Sequence, residues 1–292
     1  MKKIILVAGA RPNFMKIAPI LREIEKYDDL RAVLVHTGQH YDENMSAAFF
    51  SSLGIKQQDY DLEVGSASHA IQTAAIMTRF EEVCEKESPD AVIVVGDVNS
   101  TIAAGLVAKK LRILLVHVEA GLRSRDRSMP EEINRIATDA ISDLLFTTEE
   151  QGTQNLLSEG HSLEQVHFVG HVMIDNLLYQ LEKLDNGVPS VTIRSIKSML
   201  PSRYICLTMH RPSNVDNKAT FTRLMSAISV LSKEAPVVFP CHPRTRERIY
   251  SFNMNEQFQP LRRDQRIKSK QGFLSLIHST MMIFSSYGKM LH

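Results

Sequence analysis

The chain has 292 residues, of which 43% are hydrophobic and 23% charged, with a formal net charge of +1. That balance is ordinary for a globular protein, and the length accommodates two domains. A charge so near zero gives no bulk attraction to nucleic acid or to a membrane surface, and no run approaches the roughly 20 apolar residues of a membrane span. Cys84, Cys206 and Cys241 lack metal-type spacing and read as reduced thiols of a cytoplasmic protein.

The first apolar run, residues 4–8, is too short for a signal peptide and is predicted to be a strand. Gly9-Ala10-Arg11-Pro12 follows, then a helix to about residue 25. Amide donors, the helix dipole and the Arg11 guanidinium would converge there on an anion. The loop is neither G-x-G-x-x-G nor a Walker A sequence, which argues against a nicotinamide dehydrogenase and a P-loop enzyme. Lys16, about one turn further on, either faces the same anion or is a solvated surface lysine. A second strand at 32–35 ends in His36-Thr37-Gly38-Gln39-His40, and helices are predicted at 43–53 and 70–86.

Residues 91–95 and 113–116 are short apolar runs without a wet face, as in buried parallel strands. A helix over 100–110 joins them into a βαβ unit. Asp97 follows the first run, Glu119 ends the second, and Glu131-Glu132 follow Pro130 in the first turn of the next helix. An acid after a strand also serves as a cap, and acids in a first turn complement the dipole. Glu119 is harder to explain so, because a carboxylate against a buried strand must find partners or water. Ligands of open α/β sheets bind beyond the carboxyl ends of the strands, where these acids would gather.

A strand at 144–147, a helix at 149–159 and a strand at 166–169 complete the first half. After a turn near 185–189 the alternation resumes: strand 204–208, helix 220–233, strand 237–240 and a helix from 245. Two of these strands lead into Met209-His210-Arg211-Pro212 and Cys241-His242-Pro243-Arg244. Paired His/Arg at successive strand ends lift His210 and His242 above isolated structural histidines. A short helix is predicted over 271–278 and a last strand over 280–284. The prediction is an α/β protein of two Rossmann-like, doubly wound domains facing across a cleft, residues 1–170 and 171–292. The second is expected to be incomplete.

Several motifs together resemble one family, the non-hydrolysing UDP-N-acetylglucosamine 2-epimerases. They are Gly9-Ala-Arg-Pro with Lys16, Thr37-Gly-Gln-His40, Gly96-Asp97, His117-Val-Glu-Ala-Gly-Leu-Arg123, Pro130-Glu-Glu-Ile-Asn-Arg135, His210-Arg-Pro-Ser-Asn-Val-Asp216 and His242-Pro-Arg-Thr245. The resemblance implies a GT-B architecture, a UDP-sugar substrate, no metal or redox cofactor, and a homodimer. It implies that UDP-GlcNAc and UDP-ManNAc interconvert by removal of the C2 proton with loss of UDP to 2-acetamidoglucal, followed by re-addition. Asp97, Glu119 and Glu131 would be the acid/base set and His210 a further catalytic residue. Arg11, Lys16, Gln39, His40, Arg135, Arg211 and His242 would bind substrate. Two departures stand out. Phe284-Ser-Ser-Tyr-Gly288 replaces an Asp-Ser-Gly-Gly segment that holds UDP in the family, so weakened UDP binding and low activity are expected. Ile71 precedes Gln72 where regulated members carry arginine, which removes one support for allosteric activation. The rival expectations are a catalytically impaired remnant and a hydrolysing epimerase or other GT-B nucleotide-sugar enzyme.

Overall fold

The computed structural model describes residues 1–38, 47–186, 198, 200–255, 258–261, 273–277 and 280–284. The described residues form two compact units, Met1–Asn186 and Gly187–His292. In the first, strands β1 (Lys2–Ala8), β2 (Leu30–His36), β3 (Tyr60–Asp61), β4 (Ala91–Val95), β5 (Leu114–Ala120), β6 (Leu144–Thr147) and β7 (Val166–Phe168) form one sheet. Their order is β3-β2-β1-β4-β5-β6-β7, and every pairing is parallel. Helices α1 (Arg11–Ile24), α2 (Ala47–Leu53), α3 (His69–Glu87), α4 (Asn99–Lys110), α5 (Pro130–Ile141), α6 (Glu150–Ser158) and α7 (Val172–Asp185) alternate with them.

The lack of polar alternation in the strands has a direct cause. Successive side chains leave a strand on opposite faces, and here both faces are covered. Leu6 and Ala8 of β1 pack with Phe14, Ile17 and Leu21 of α1 on one side. Ile5 and Val7 pack with Phe80 of α3 and Val107 of α4 on the other. The buried α1 residues Phe14, Ile17, Ala18 and Leu21 recur at helical spacing.

The unit boundary lies at Asn186/Gly187 rather than at 170/171. Val172 at the start of α7 is buried in the α1 core cluster. The Arg22 guanidinium of α1 sits 3.8 Å over the Tyr179 ring of α7 and donates to Asn176 Oδ1 at 3.3 Å. These contacts hold α7 on the first unit.

The second unit contains β8 (Ile205–Cys206), α8 (Pro212–Val215), α9 (Lys218–Leu231), β9 (Val237–Pro240), α10 (Pro243–Ser251), β10 (Phe258–Leu261), β11 (Phe273–Ile277) and β12 (Thr280–Phe284). Its core gathers Val215, Phe221, Met225, Val237, Phe239 and Ile249. The helix expected over 271–278 is instead strand β11, parallel to β9 with Leu274 beside Val238. Phe-Leu-Ser-Leu-Ile is too short and apolar for its period to discriminate, so sheet pairing decides. β12 runs antiparallel to β11, with Ile277 opposite Thr280. Only two residues join them, and so short a connection permits nothing else.

Candidate active site

The strand order of the first unit reverses between β1 and β4, the switch point at which open α/β sheets bind ligands. Asn13 of α1 ties the two strand ends together. The Gly9 and Ala10 amides donate to its Oδ1 at 3.2 and 2.9 Å, and its Nδ2 donates to the Val95 carbonyl at 3.3 Å. Those two amides, expected to face an anion, are therefore used internally. Arg11 is exposed at the helix start, its guanidinium 4.8 Å from the Phe49 ring centroid.

Asp97 and Glu119 lie around this point. β4 leads through Gly96, at φ +69°, into Asp97. A Cβ at Gly96 would stand 3.0 Å from Lys16 Nζ, so the small residue lets α1 approach. Lys16 forms a direct ion pair with Glu119, and both side chains are only 15% exposed. Lys16 is thus a partner of Glu119 and not a solvated lysine. Glu119 itself adopts φ +71°, where the register of β5 against β6 shifts between Val118 and Ala120. A left-handed non-glycine residue at a bulge re-aims its side chain at a local energetic cost.

Arg135 of α5 reaches Asp97 at 2.5 Å and Glu132 at 2.8 Å, so its guanidinium is engaged by carboxylates. Its neighbour Asn134 donates to the Asp97 carbonyl at 2.9 Å. Glu131 precedes these two residues by three and four positions, which places it on the α5 face that meets Asp97. Glu132 is buried and accepts the Ser124 and Arg125 amides, each at 2.9 Å. Burial alone would raise its carboxyl, but these amides and Arg135 hold it down at about 2. Gln39 and His40 lie outside the described residues.

Two residues of this region were not singled out from sequence. His117 and Asp139 are fully buried and lie 2.6 Å apart, Nδ1 to Oδ1. The one signal was His117 itself, a titratable ring inside an apolar run, which must find partners.

In the second unit, His210, Arg211 and His242 follow β8 and β9. The two imidazole centroids are 5.7 Å apart. His242 caps α10, its Nδ1 accepting the Arg244 amide at 3.2 Å, which leaves the proton on Nε2. Thr245 donates to the Met209 carbonyl at 2.6 Å and ties the segment before His210 to α10. Arg211 is the exposed N-cap of α8. Arg244 and Arg248 both pair with Asp216, at 2.5 and 3.0 Å. Among the described residues, no group of three or more His, Cys, Asp or Glu is placed to hold a metal ion, and no helix is long and apolar enough to cross a membrane.

A doubly wound sheet with carboxylates at its switch point, in a chain of two α/β units, defines a GT-B-like enzyme. The chain belongs to the UDP-N-acetylglucosamine 2-epimerase family of isomerases, whose profile matches residues 22–286. A UDP-N-acetylglucosamine 2-epimerase homolog of Methanococcus maripaludis is 40% identical, the match covering 94% of this chain and 75% of that protein. The Pseudomonas aeruginosa UDP-2,3-diacetamido-2,3-dideoxy-D-glucuronate 2-epimerase is 38% identical over 88% of this chain and 71% of its own. The Methanocaldococcus jannaschii UDP-GlcNAc 2-epimerase, solved in complex with UDP-GlcNAc and UDP, superposes with a TM-score of 0.73 at 38% identity. That comparison covers 96% of this chain and 74% of the other.

Proposed function

We propose that this chain interconverts UDP-GlcNAc and UDP-ManNAc by elimination and re-addition of UDP. The observation that carries the reading is the placement of Asp97 and Glu119 at the ends of neighbouring strands, each ion-paired to a cation. A C2 proton of the sugar is not adjacent to a carbonyl and is poorly acidic. Its removal has to be coupled to departure of a good leaving group. The C2–H electron pair becomes the C1–C2 double bond of 2-acetamidoglucal as the C1–O bond to UDP breaks, and the proton passes to a carboxylate. Return of UDP to C1 with delivery of a proton to the other face of C2 inverts that centre. Two faces require more than one carboxyl, and Asp97, Glu119 and Glu131 are the proposed set.

Stabilising charge on the departing diphosphate lowers the barrier. Arg11 of the first unit is the proposed cationic donor for it; within the second unit His210, Arg211 and His242 carry cationic or N–H donors of the kind that a diphosphate binds. Lys16 acts on Glu119 and Arg135 on Asp97, holding the carboxylates rather than the phosphates. The reaction needs no redox cofactor. The proposal includes a cytoplasmic homodimer, for which the groove lined by Ala70, Met77, Ile102 and exposed Ile133 offers apolar surface.

Incubation with UDP-GlcNAc in deuterated water tests the reading. Deuterium at C2 and formation of UDP-ManNAc are expected. Release of free ManNAc would point to a hydrolysing enzyme instead, and absence of both label and product would sink the proposal. The diacetamido-glucuronate relative gives a second substrate to run in parallel, since preferential turnover of its UDP-sugar would keep the mechanism and change the hexose. Calorimetric titration with UDP separates a binding-competent chain from one that folds without taking nucleotide.

A further inference from the structure

The strand ends that carry Asp97 and Glu119 are joined by an ion chain, buried at His117 and Asp139, that takes no part in the proposed bond-making and bond-breaking. His117 lies on β5, two residues before Glu119. Its Nε2 is 2.8 Å from the carbonyl oxygen of Gly96, the residue before Asp97. Its Nδ1 is 2.6 Å from Asp139 Oδ1 on α5. Burial would raise the Asp139 carboxyl, but His117 and Arg123 outweigh it and hold it below the usual carboxylate range. A carbonyl and a carboxylate can only accept, so each ring nitrogen must donate and the ring is an imidazolium.

The other Asp139 oxygen accepts the Gly121 amide at 3.1 Å and meets Arg123 at 2.7 Å. Arg123 goes on to Glu159, beyond α6, at 2.5 Å. The groups around the ring are thus Gly96 from the end of β4, Asp139 from α5 and Arg123 from the loop after β5, with Glu159 reached through Arg123. Charge alternates along the chain, which offsets the desolvation of each member.

We propose that His117 and Asp139 are positioning residues, a hydrogen-bonded ion pair that fixes Gly96 against Gly121 and so sets where Asp97 and Glu119 stand. This rests on the acid/base reading of those two carboxylates. The backbone here needs holding, since Gly96 and Glu119 both have positive φ. Gly121, at φ +78°, packs directly on the Gly152 carbonyl, where a Cβ would overlap it. Release of the pair lets both strand ends relax, and a displacement near 1 Å costs about 100-fold in rate.

Nitrogen-15 NMR of the histidine-labelled full chain reads the pair directly. Both nitrogens of His117 are expected to carry protons in the native protein, since both face acceptors. In Asp139→Asn, measured under the same conditions, the ring should lose one proton. A neutral His117 in the native protein, or one still doubly protonated in Asp139→Asn, overturns the proposal. His117→Gln keeps a donor for Gly96 without the charge, and its kcat should fall about 100-fold with KM little changed. Unchanged kcat in a folded variant also overturns it. Should His117→Gln fail to fold, Asp139→Asn carries both measurements. Absence of turnover in the native chain would count against the epimerase reading, while the NMR result would still decide whether the charged pair exists.

Discussion

Glu119 shows how far a single residue could be read from sequence. Its position after a buried strand marked it as an acid in need of partners, and the structure supplies Lys16 from α1. Its backbone was not legible, because nothing in Val-Glu-Ala announces a φ of +71°. His117 and Asp139 were hidden for a related reason. Their contact depends on how α5 crosses β5, a tertiary fact that no spacing of 22 positions encodes. The strain at Glu119 can be isolated from its ion pair. Glu119→Gly and Glu119→Ala both remove the carboxylate that faces Lys16, and differ in the cost of left-handed backbone. Urea denaturation should find the glycine variant more stable than the alanine variant by about 1 kcal/mol. Equal stabilities would mean that the backbone at this position is not held left-handed.

At the scale of elements, the βαβ unit around Asp97 was legible because buried parallel strands lose their polar alternation and helices keep their period. The strand at Phe273–Ile277 was not, since four apolar residues around Ser275 fit a helix turn as well as a strand. α5 lies between these cases. Pro130 and the two acids located its first turn, but only the structure shows that Glu132 anchors the preceding loop through the Ser124 and Arg125 amides. That anchoring makes a pH prediction. The Glu132 carboxyl is depressed to about 2 in the folded protein, against about 4.3 for a free side chain. A depressed carboxyl contributes stability that is full above the unfolded value and is lost as pH falls toward the folded one. The contribution is about 3 kcal/mol. Denaturation curves from roughly pH 5 down to 2 should therefore fall more steeply for the native chain than for Glu132→Gln, by about that amount. Parallel curves would show that Glu132 does not anchor the loop.

For the whole molecule, the alternation of strands and helices revealed two α/β units, while their boundary depended on which surface α7 covers. Nothing in Val172–Asp185 states that Val172 enters the core of the first unit or that Tyr179 stacks on Arg22. The boundary is testable because the two divisions predict different fragments. A chain of residues 1–186 retains α7, and one of residues 1–170 leaves bare the α1 surface that α7 packs against. Burial of one aliphatic side chain is worth about 1.5–3 kcal/mol and a stacked guanidinium about 0.5–1 kcal/mol. The shorter fragment should accordingly be less stable by about 2–4 kcal/mol in urea denaturation. It should also bind a hydrophobic dye at the α1–α7 groove, lined by Pro19, Ile20, Val118 and Phe146, that the longer fragment partly covers. Equal stability of the two fragments would return α7 to the second unit. A cooperative transition for residues 1–186 alone would establish that the carboxylates and their ion chain are organised by the first unit without help from the second.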